Sequence, residues 1–391
     1  MTAAAPVLIA GAGIGGLVTA LTLAAKGLRS IVMERAVQLD EVGAGLQISP
    51  NASRVLVNLG LGARLAESAV TPGAVSAMSA HTGRELARIP LQGSPEAPYW
   101  VIHRADLQSA LVAAAAAHPD IELRLGTTVT GFSDAGDNVT ATCRSGPTAY
   151  EERGRALIGA DGVWSEIRNG LFPEITAQFS GRIAWRGTIP ADRMTDRDLR
   201  IQLWMGRKAH LVVYPVSGGQ RFNVVAIAAD GWSTPGWDNA ADAADLHRRF
   251  SAAGWTAPAR TIIEAVPEWR RWALFTLPGL ESWSRGRVAL LGDAAHAMLP
   301  FAAQGAAMAI EDAAMLAVCM DEKPHNVIGA LAQYGRLRRE RVRRVQRLAC
   351  QNGQIYHLTG PMALARDLTM KMIGGQRLHQ RQKWVYDWKP K

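Results

Sequence analysis

The sequence predicts an α/β fold in which a parallel sheet with helices is interrupted by an antiparallel sheet and followed by C-terminal helices. A strand, a glycine-containing turn and a helix recur in this order near Pro6, Ala156 and Arg287. Between residues 175 and 275 the apolar residues alternate in short runs, which is typical of antiparallel strands. After Gln304 the pattern is helical almost to the end. The return of the first pattern after the alternating segment indicates one domain with an insertion rather than two consecutive domains.

The first strand–turn–helix unit has the features of a dinucleotide site. Gly11, Gly13 and Gly16 stand in G-x-G-x-x-G spacing after a short apolar strand, and a second strand ends on Glu34. The glycines allow a tight turn, close backbone approach to a pyrophosphate and close packing of helix on strand. The acid about twenty residues on suits a ribose hydroxyl. The unit therefore predicts an adenine dinucleotide site, and by itself it does not separate FAD from NAD.

Composition limits the class of protein. The chain has 391 residues, of which 48% are hydrophobic and 20% charged, enough for two domains or one large composite fold. Cys143, Cys319 and Cys350 are far apart, match no metal spacing and suit a reducing compartment, so we expect no metal site. The sequence has no bilayer-length apolar run and no secretory leader pattern, which favours a cytoplasmic protein without stable membrane insertion.

The net charge of +9 is concentrated between Arg336 and Arg347. The favoured interpretation of this basic run is a solvated helix face. Attraction of an anionic cofactor or a carboxylate substrate is the second interpretation. Membrane or nucleic-acid contact is the least favoured, because no interleaved aromatic residues or nucleic-acid motif accompany the charges. We therefore expect no nucleic-acid partner.

The remaining chain predicts a discontinuous organisation. Short strands are expected between residues 75 and 100, a helix from His103 onward, and a hairpin at Asp134 to Asn138. The parallel-sheet domain is assigned to 1–74, 101–174 and 276–345. The antiparallel domain takes 75–100 and 175–275, and 346–391 is a C-terminal helical segment.

Three motifs in order carry a family resemblance. GAGIGG with Glu34-Arg35, GADGVWSEIR and LLGDAAHAMLPFAAQGAAMAIEDA resemble the class A, single-component flavoprotein aromatic hydroxylases of the para-hydroxybenzoate hydroxylase type. Within these, the pattern is most similar to the salicylate and 3-hydroxybenzoate 6-hydroxylase group. The resemblance implies a Rossmann-like FAD-binding domain with an inserted antiparallel β-sheet substrate domain and C-terminal helices. It also implies non-covalent FAD, NADH or NADPH as co-substrate, O2, a small aromatic substrate and a possible homodimer.

The resemblance also implies the cofactor-binding residues. The glycine turn would hold the FAD pyrophosphate, Glu34 and Arg35 the adenosine ribose, and Asp293 the ribityl chain. Asp161 would serve both flavin and nicotinamide, although an Asp-Gly pair also favours a simple turn. Arg104 would reach the flavin and pyrophosphate, and an ordinary arginine at a helix start is the alternative. The full set of predicted contacts is Gly11, Gly13, Gly16, Glu34, Arg35, Gln47, Arg104, Val129, Asp161, Asp293, Gly305 and Ala306.

The chemistry that the resemblance implies has two halves. NAD(P)H reduces FAD, and oxygen then forms a flavin C4a-hydroperoxide whose distal oxygen attacks an electron-rich ring. A general base that deprotonates a ring hydroxyl would raise the electron density of the ring. His210 and Tyr214, four apart on a predicted strand and so on one face, are the catalytic candidates; simple packing on the sheet is the alternative. His296 is expected to be structural.

Three residues differ from those that relatives carry at the same positions, so the identity of the substrate is left open. Pro300 stands where 3-hydroxybenzoate hydroxylases carry glutamine, and Gln47 and Phe301 stand where pyridine-acid relatives carry histidine. The substrate is expected to be a small hydroxylated aromatic or heteroaromatic acid. Two rivals remain: ring hydroxylation or epoxidation of a larger apolar, ubiquinone-type substrate on the same fold, and a non-catalytic dinucleotide-binding protein.

Overall fold

The computed structural model describes residues 5–39, 45–236 and 239–390. In chain order its strands are β1 (Val7–Ala10), β2 (Ser30–Glu34), β3 (Gly45–Ile48), β4 (Ala74–Ser79), β5 (Glu85–Pro90), β6 (Trp100–His103), β7 (Ile121–Leu125), β8 (Thr127–Ala135), β9 (Asn138–Ser145), β10 (Thr148–Gly154), β11 (Ala156–Gly159), β12 (Gln178–Pro190), β13 (Ile201–Gly206), β14 (Ala209–Val216), β15 (Arg221–Ala229), β16 (Asn239–Ala240), β17 (Arg270–Thr276), β18 (Ser284–Arg285) and β19 (Val288–Leu290).

The helices follow the same order. They are α1 (Ile14–Ala24), α2 (Pro50–Asn58), α3 (Gly62–Ser68), α4 (Arg104–Ala116), α5 (Glu166–Leu171), α6 (Ala243–Ala252), α7 (Ala257–Glu264), α8 (Asp293–His296), α9 (Gly305–Glu322), α10 (Val327–Tyr356) and α11 (Gly360–Tyr386).

A mainly parallel sheet forms the first layer, in the order β18-β19-β11-β1-β2-β7. Only the short edge strand β18 runs antiparallel to its neighbour. The strands β1, β11 and β19 come from the three predicted strand–turn–helix units, and they lie side by side. Because parallel strands end at the same edge, the three turns that follow them meet there, where ligands bind in open α/β sheets.

An eight-stranded sheet forms the second layer, in the order β16-β17-β12-β15-β14-β13-β4-β5. Its strands lie between residues 74 and 90 and between residues 178 and 276. Neighbours are antiparallel except for β13 and β4, which are parallel. The predicted hairpin is confirmed, because β8 ends at Ala135 and β9 begins at Asn138 in a separate three-stranded sheet. The two-stranded pair β3 and β6 contacts both layers, because β6 packs on β14 of the second sheet and on α4, and β3 packs on α9.

After Gln304 the chain is helical almost to its end, as predicted. The helix α9 packs on both α1 and α10. The predicted boundary between residues 345 and 346 falls inside α10, which is one continuous helix of 30 residues. The helix α11 bends at Gly374, whose φ of 73° interrupts the helical backbone. Within the described ranges, no helix combines the length and the apolar character needed to cross a bilayer.

Candidate active site

A cavity of about 340 Å³ lies between the carboxyl edge of the parallel sheet and the inner face of the antiparallel sheet. The first side contributes backbone-rich turns, with Gly13, Gly15, Gly162, Gly292, Asp293 and Gly305 among the lining residues. The second side contributes larger side chains, among them Arg186, His210, Tyr214, Ile227 and Trp272. The two predicted sites, for the cofactor and for the substrate, therefore share one cavity.

The glycine turn after β1 is built as its spacing predicts. Gly11 has a φ of 102°, and a Cβ atom there would lie 2.6 Å from the carbonyl oxygen of Ala160. A Cβ atom on Gly16 would collide with the carbonyl oxygen of Gly11. A Cβ atom on Gly13 would meet nothing within 4 Å, and Gly13 lines the cavity. Two glycines are therefore required by packing, while the third leaves open space above the N-terminus of α1, where an anion is favoured.

The residues predicted for the adenosine end lie around the end of β2. The Glu34 carboxylate accepts hydrogen bonds from the backbone N–H groups of Ala12 at 2.8 Å and Ala36 at 2.9 Å. Arg35 is exposed, and Val129 is buried on β8. None of the three predicted residues Glu34, Arg35 and Val129 is among those that line the cavity. Glu34 thus ties the glycine turn to β2, and its ribose contact stays a prediction.

The Asp161–Gly162 turn closes against the glycine turn of β1. Gly162 has a φ of 80° and lines the cavity. Asp161 Oδ2 accepts a hydrogen bond from the backbone N–H of Ile167 at 3.2 Å, in the first turn of α5. Its Oδ1 is buried and has no hydrogen-bond partner within the part of the chain that the structure describes. Burial raises the pKa of Asp161. The turn-forming role is therefore visible in the structure, and a donor from a bound cofactor would satisfy the remaining oxygen.

Arg104 and Asp293 face each other across the cavity edge. Both line the cavity, Arg104 as the first residue of α4 and Asp293 as the first residue of α8. Burial lowers the pKa of the Arg104 guanidinium, and the negative charge of Asp293 opposes that shift. This pair combines donor and acceptor groups at the cavity, and the contact of Arg104 with the flavin and pyrophosphate stays a prediction.

A buried polar network positions the N-terminus of α9. Gln304, which precedes the lining residues Gly305 and Ala306, is 2% exposed. Its side-chain amide donates to Ser49 Oγ at 2.9 Å, and its oxygen accepts from Asn51 at 3.1 Å. Asn51 also donates to Glu311 on α9 at 2.6 Å. Helix α9 therefore presents its N-terminal N–H groups to the cavity in a fixed position.

Two arginines of the basic run on α10 belong to this network. The sequence pattern had indicated a solvated helix face instead. Arg338 is 1% exposed and binds Glu311 at 2.5 Å and Asp312 at 2.7 Å. Arg341 also binds Glu311, at 2.6 Å. The favoured interpretation as a solvated face is wrong for these two arginines. The signal was the pair of adjacent acids, Glu311 and Asp312, in the otherwise apolar stretch 305–320, since buried carboxylates require partners.

His296 is structural, as expected. Its ring is buried beside Trp283, and its Nε2 lies 2.5 Å from Asp312 Oδ2. The other oxygen of the Asp312 carboxylate, Oδ1, accepts a hydrogen bond from Arg338 Nε. Interactions with His296 and Arg338 hold the pKa of Asp312 below its usual range against the effect of burial.

Gln47 lies in the cavity wall on β3. Its side-chain oxygen accepts a hydrogen bond from the Tyr99 hydroxyl at 2.9 Å. Nearby, a Cβ atom on Gly45 would lie 2.5 Å from the ring of Tyr214, and the Gly45 N–H donates to Asn223 Oδ1 at 2.8 Å. The strand β3 therefore lies directly against the antiparallel sheet and carries Gln47 to the junction of the two predicted sites.

His210 and Tyr214 lie on one face of β14 and both line the cavity. Their exposed fractions are 2% and 4%. Burial, together with the neighbouring His357 ring and the positive charge of Arg182, lowers the pKa of His210 well below its usual range. Burial raises the pKa of Tyr214, and Arg186 opposes that shift. At neutral pH the cavity thus contains a neutral imidazole and a protonated phenol.

Arg186 and Trp272 complete this wall and were not predicted. Arg186 lies on β12 and is 3% exposed. The centre of its guanidinium lies 4.6 Å from the centre of the Trp272 ring on β17, in a cation–π arrangement. Met298 and Pro300 also line the cavity, whereas Phe301 packs in an apolar cluster behind His210. Arg186 carried no signal in the sequence, because alternating strands contain many arginines.

The donor set fits FAD. Two helix N-termini, those of α1 and α9, open into one cavity with bare glycine backbone at Gly13 and Gly305. Such termini bind a pyrophosphate and an electron-rich pyrimidine edge. Asp293 and Arg104 line the same cavity. When bound, FAD supplies the redox and oxygen chemistry.

Comparisons with known proteins agree with this geometry. The family model described as an FAD binding domain matches residues 4–349. A 3-hydroxybenzoate 6-hydroxylase of Aquipseudomonas alcaligenes is 37% identical over 388 residues, which covers 97% of each chain. A 3-amino-4-hydroxybenzoate 2-monooxygenase of Streptomyces platensis is 34% identical and covers 97% of this chain and 94% of its own.

The fold agrees as well. A solved salicylate hydroxylase substrate complex superposes with a TM-score of 0.84 at 25% identity, covering 100% of this chain and 97% of the other. The agreement extends over both sheets and the C-terminal helices, and the relatives are named hydroxylases and monooxygenases. The chain therefore belongs to the FAD-binding-domain family and, within it, to the class A flavoprotein aromatic hydroxylases.

Proposed function

We propose that this protein hydroxylates a small hydroxylated aromatic acid, using FAD, NADH or NADPH and O2. The observation that carries the proposal is the shared cavity, because residues of the cofactor side and of the side-chain wall line the same space and no described element separates them. A ring bound against Tyr214 and Trp272 would lie next to the flavin-facing turns. The relatives named above act on hydroxybenzoates, which supports an acid of this size.

The substrate's carboxylate is proposed to bind Arg186. This guanidinium is buried in the cavity wall, and a charge-assisted hydrogen bond is worth about 1.5–3 kcal/mol. Tyr214 remains protonated and can donate a hydrogen bond to an oxygen on the ring. The apolar side chains of Val212, Val225 and Ile227 line the same wall and exclude water from the ring. These contacts orient the ring, and FAD supplies the oxygen transfer when bound.

The test is a substrate screen on the purified holoprotein. NADH consumption should be slow alone and should rise at least tenfold with a fitting hydroxybenzoate or hydroxypyridine acid, with a hydroxylated product found by mass spectrometry. His210→Ala should lower hydroxylation more than it lowers flavin reduction, since His210 lies on the substrate side of the cavity. A yellow protein whose NADH consumption no ring acid stimulates would contradict the proposal.

A further inference from the structure

His210 is connected, on the side away from the cavity, to a chain of two further polar residues. Its Nδ1 lies 2.8 Å from Nε2 of His357, the residue that follows α10. The Nδ1 of His357 in turn contacts a terminal nitrogen of the Arg182 guanidinium on β12. Three distant parts of the chain, β14, the end of α10 and β12, therefore meet in one hydrogen-bonded line behind the substrate wall.

The Arg182 guanidinium determines the direction of each hydrogen bond in this chain. A guanidinium has only donors, so His357 Nδ1 must accept from Arg182 and carries no proton. Neutral His357 then has its proton on Nε2 and donates it to His210 Nδ1. His210 Nδ1 is consequently an acceptor, and neutral His210 carries its proton on Nε2.

The surroundings keep both imidazoles neutral. Burial, Arg182 and Arg366 lower the pKa of His357 to about 3. Arg366 lies on α11 and binds Asp367, and Arg182 lies near the Cys350 thiol of α10. The rings of Phe301 and Tyr356 pack against His210 at centroid distances of 5.1 and 5.4 Å. A second proton on either histidine would have to be accommodated next to one or two guanidinium groups in a largely apolar site.

The second ring nitrogen of His210, Nε2, is the one available to a ligand in the cavity. His210 lines the cavity and its Nδ1 is occupied by His357, so Nε2 is the ring nitrogen left for a ligand. We propose that Arg182 and His357 fix His210 as an Nε2–H donor, so that it binds the substrate as a phenolate and does not act as the base that removes the phenolic proton. His357 and Arg182 are then positioning residues, and the inference rests on the proposed function.

The proton balance follows directly. The phenolic O–H bond breaks, the electron pair stays on the ring oxygen, and the proton passes to water or buffer as the substrate binds. The phenolate oxygen then accepts the Nε2–H hydrogen bond of His210. If His210 were the base, the proton would remain on the protein and none would reach the buffer.

The resting tautomer can be measured without substrate. In the oxidised holoenzyme labelled with ¹⁵N-histidine, long-range ¹H–¹⁵N spectra should show Nε2 protonated and Nδ1 unprotonated for both His210 and His357. His210→Gln and His357→Gln assign the signals by their loss. A proton on Nδ1 of His210 would overturn the proposal while leaving the hydroxylase function untouched.

The second measurement counts protons released on binding of 4-hydroxy-3-nitrobenzoate, whose nitro group makes the phenol acidic enough to titrate near neutral pH. Calorimetry in two buffers with different ionisation enthalpies, at a pH where the free probe is mainly phenol, should give close to one released proton per site. 3-Nitrobenzoate, which lacks the hydroxyl, is the control and should release none. Binding without proton release overturns the proposal, whereas failure of the acid to bind contradicts the proposed carboxylate site as well.

A matched pair of variants separates positioning from packing. His357→Gln retains an N–H donor towards His210. Binding of the probe to this variant should therefore still release about one proton to the buffer. His357→Glu, of nearly the same size, offers only acceptors when ionised, so His210 must donate from Nδ1 and expose a basic Nε2. The proton count should then fall from about one to near zero. Equal counts in the two variants would contradict the role of His357.

Discussion

The glycine side of the cavity is made of backbone from short contiguous segments, whereas the opposite wall is made of side chains that lie far apart in the chain. Gly11, Gly13 and Gly16 act through their absent side chains, which allow the close packing and leave open space at the N-terminus of α1. His210, Arg186 and His357 act through side-chain donors and acceptors supplied by two strands and a helix end. The comparison teaches that the cofactor side is built from local sequence, while the proposed substrate wall depends on how the two sheets and the C-terminal helices pack. Four predictions test this difference.

The largest effect is expected at the glycine turn. Gly16→Val should abolish both FAD binding and stable folding, because even a Cβ atom collides with the Gly11 carbonyl. Gly13→Ala should fold normally, since its φ is −69° and its Cβ meets nothing within 4 Å, and yet bind FAD about tenfold or more weakly. Bound flavin per protein and the melting temperature measure the two effects. Parallel loss of stability in both variants would contradict the local character of the site.

The next effect concerns the network beneath α9. Arg338→Met should lower the free energy of unfolding by about 3–5 kcal/mol, because it leaves Glu311 and Asp312 buried with fewer positive partners. Urea unfolding of the holoprotein measures the change. The exposed Arg347, which binds Glu340 at 3.1 Å, is the matched control, and Arg347→Met should change it by less than about 0.5 kcal/mol.

Substrate recognition should respond selectively to Arg186. Arg186→Gln should raise KM for the aromatic acid by about 10–100-fold, the loss of a charge-assisted hydrogen bond. FAD content and the NADH consumption seen with an uncharged phenol should change much less. Steady-state kinetics with the acid and with the matching phenol check this. An equal effect on both compounds would place Arg186 outside carboxylate binding.

The smallest effect is a pH dependence of stability. The pKa of His357 is lowered to about 3, so below its ordinary value of 6.5 the unfolded chain takes up a proton that the folded chain does not. Stability should therefore fall as the pH drops below about 6.5, by up to about 1.4 kcal/mol per pH unit from this group, or about 2 kcal/mol by pH 5. Urea unfolding at pH 7, 6 and 5 should show a shallower slope for His357→Gln. An unchanged slope would contradict the burial of a neutral His357.

Much of the fold could be predicted from sequence because its signals are short-range. The strand–turn–helix units near Pro6, Ala156 and Arg287, the hairpin at Asp134 to Asn138 and the helix after Gln304 all form where their local patterns indicate. His210 and Tyr214 share a face because strand geometry alternates with period two. Their catalytic roles, like the ribose contact of Glu34, remain predictions that the experiments above address.

The sequence by itself determined the family, the cofactor and the order of the cofactor segments, because glycine turns and terminal acids act through backbone geometry within a few residues. Only the tertiary structure decided which side chains surround the substrate position. Arg186, Trp272 and His357 are ordinary residues in their local sequence, and Arg338 belongs to a run that looks solvated. They acquire a role because burial makes an unpartnered donor or charge costly, so each must find its partner on a distant element.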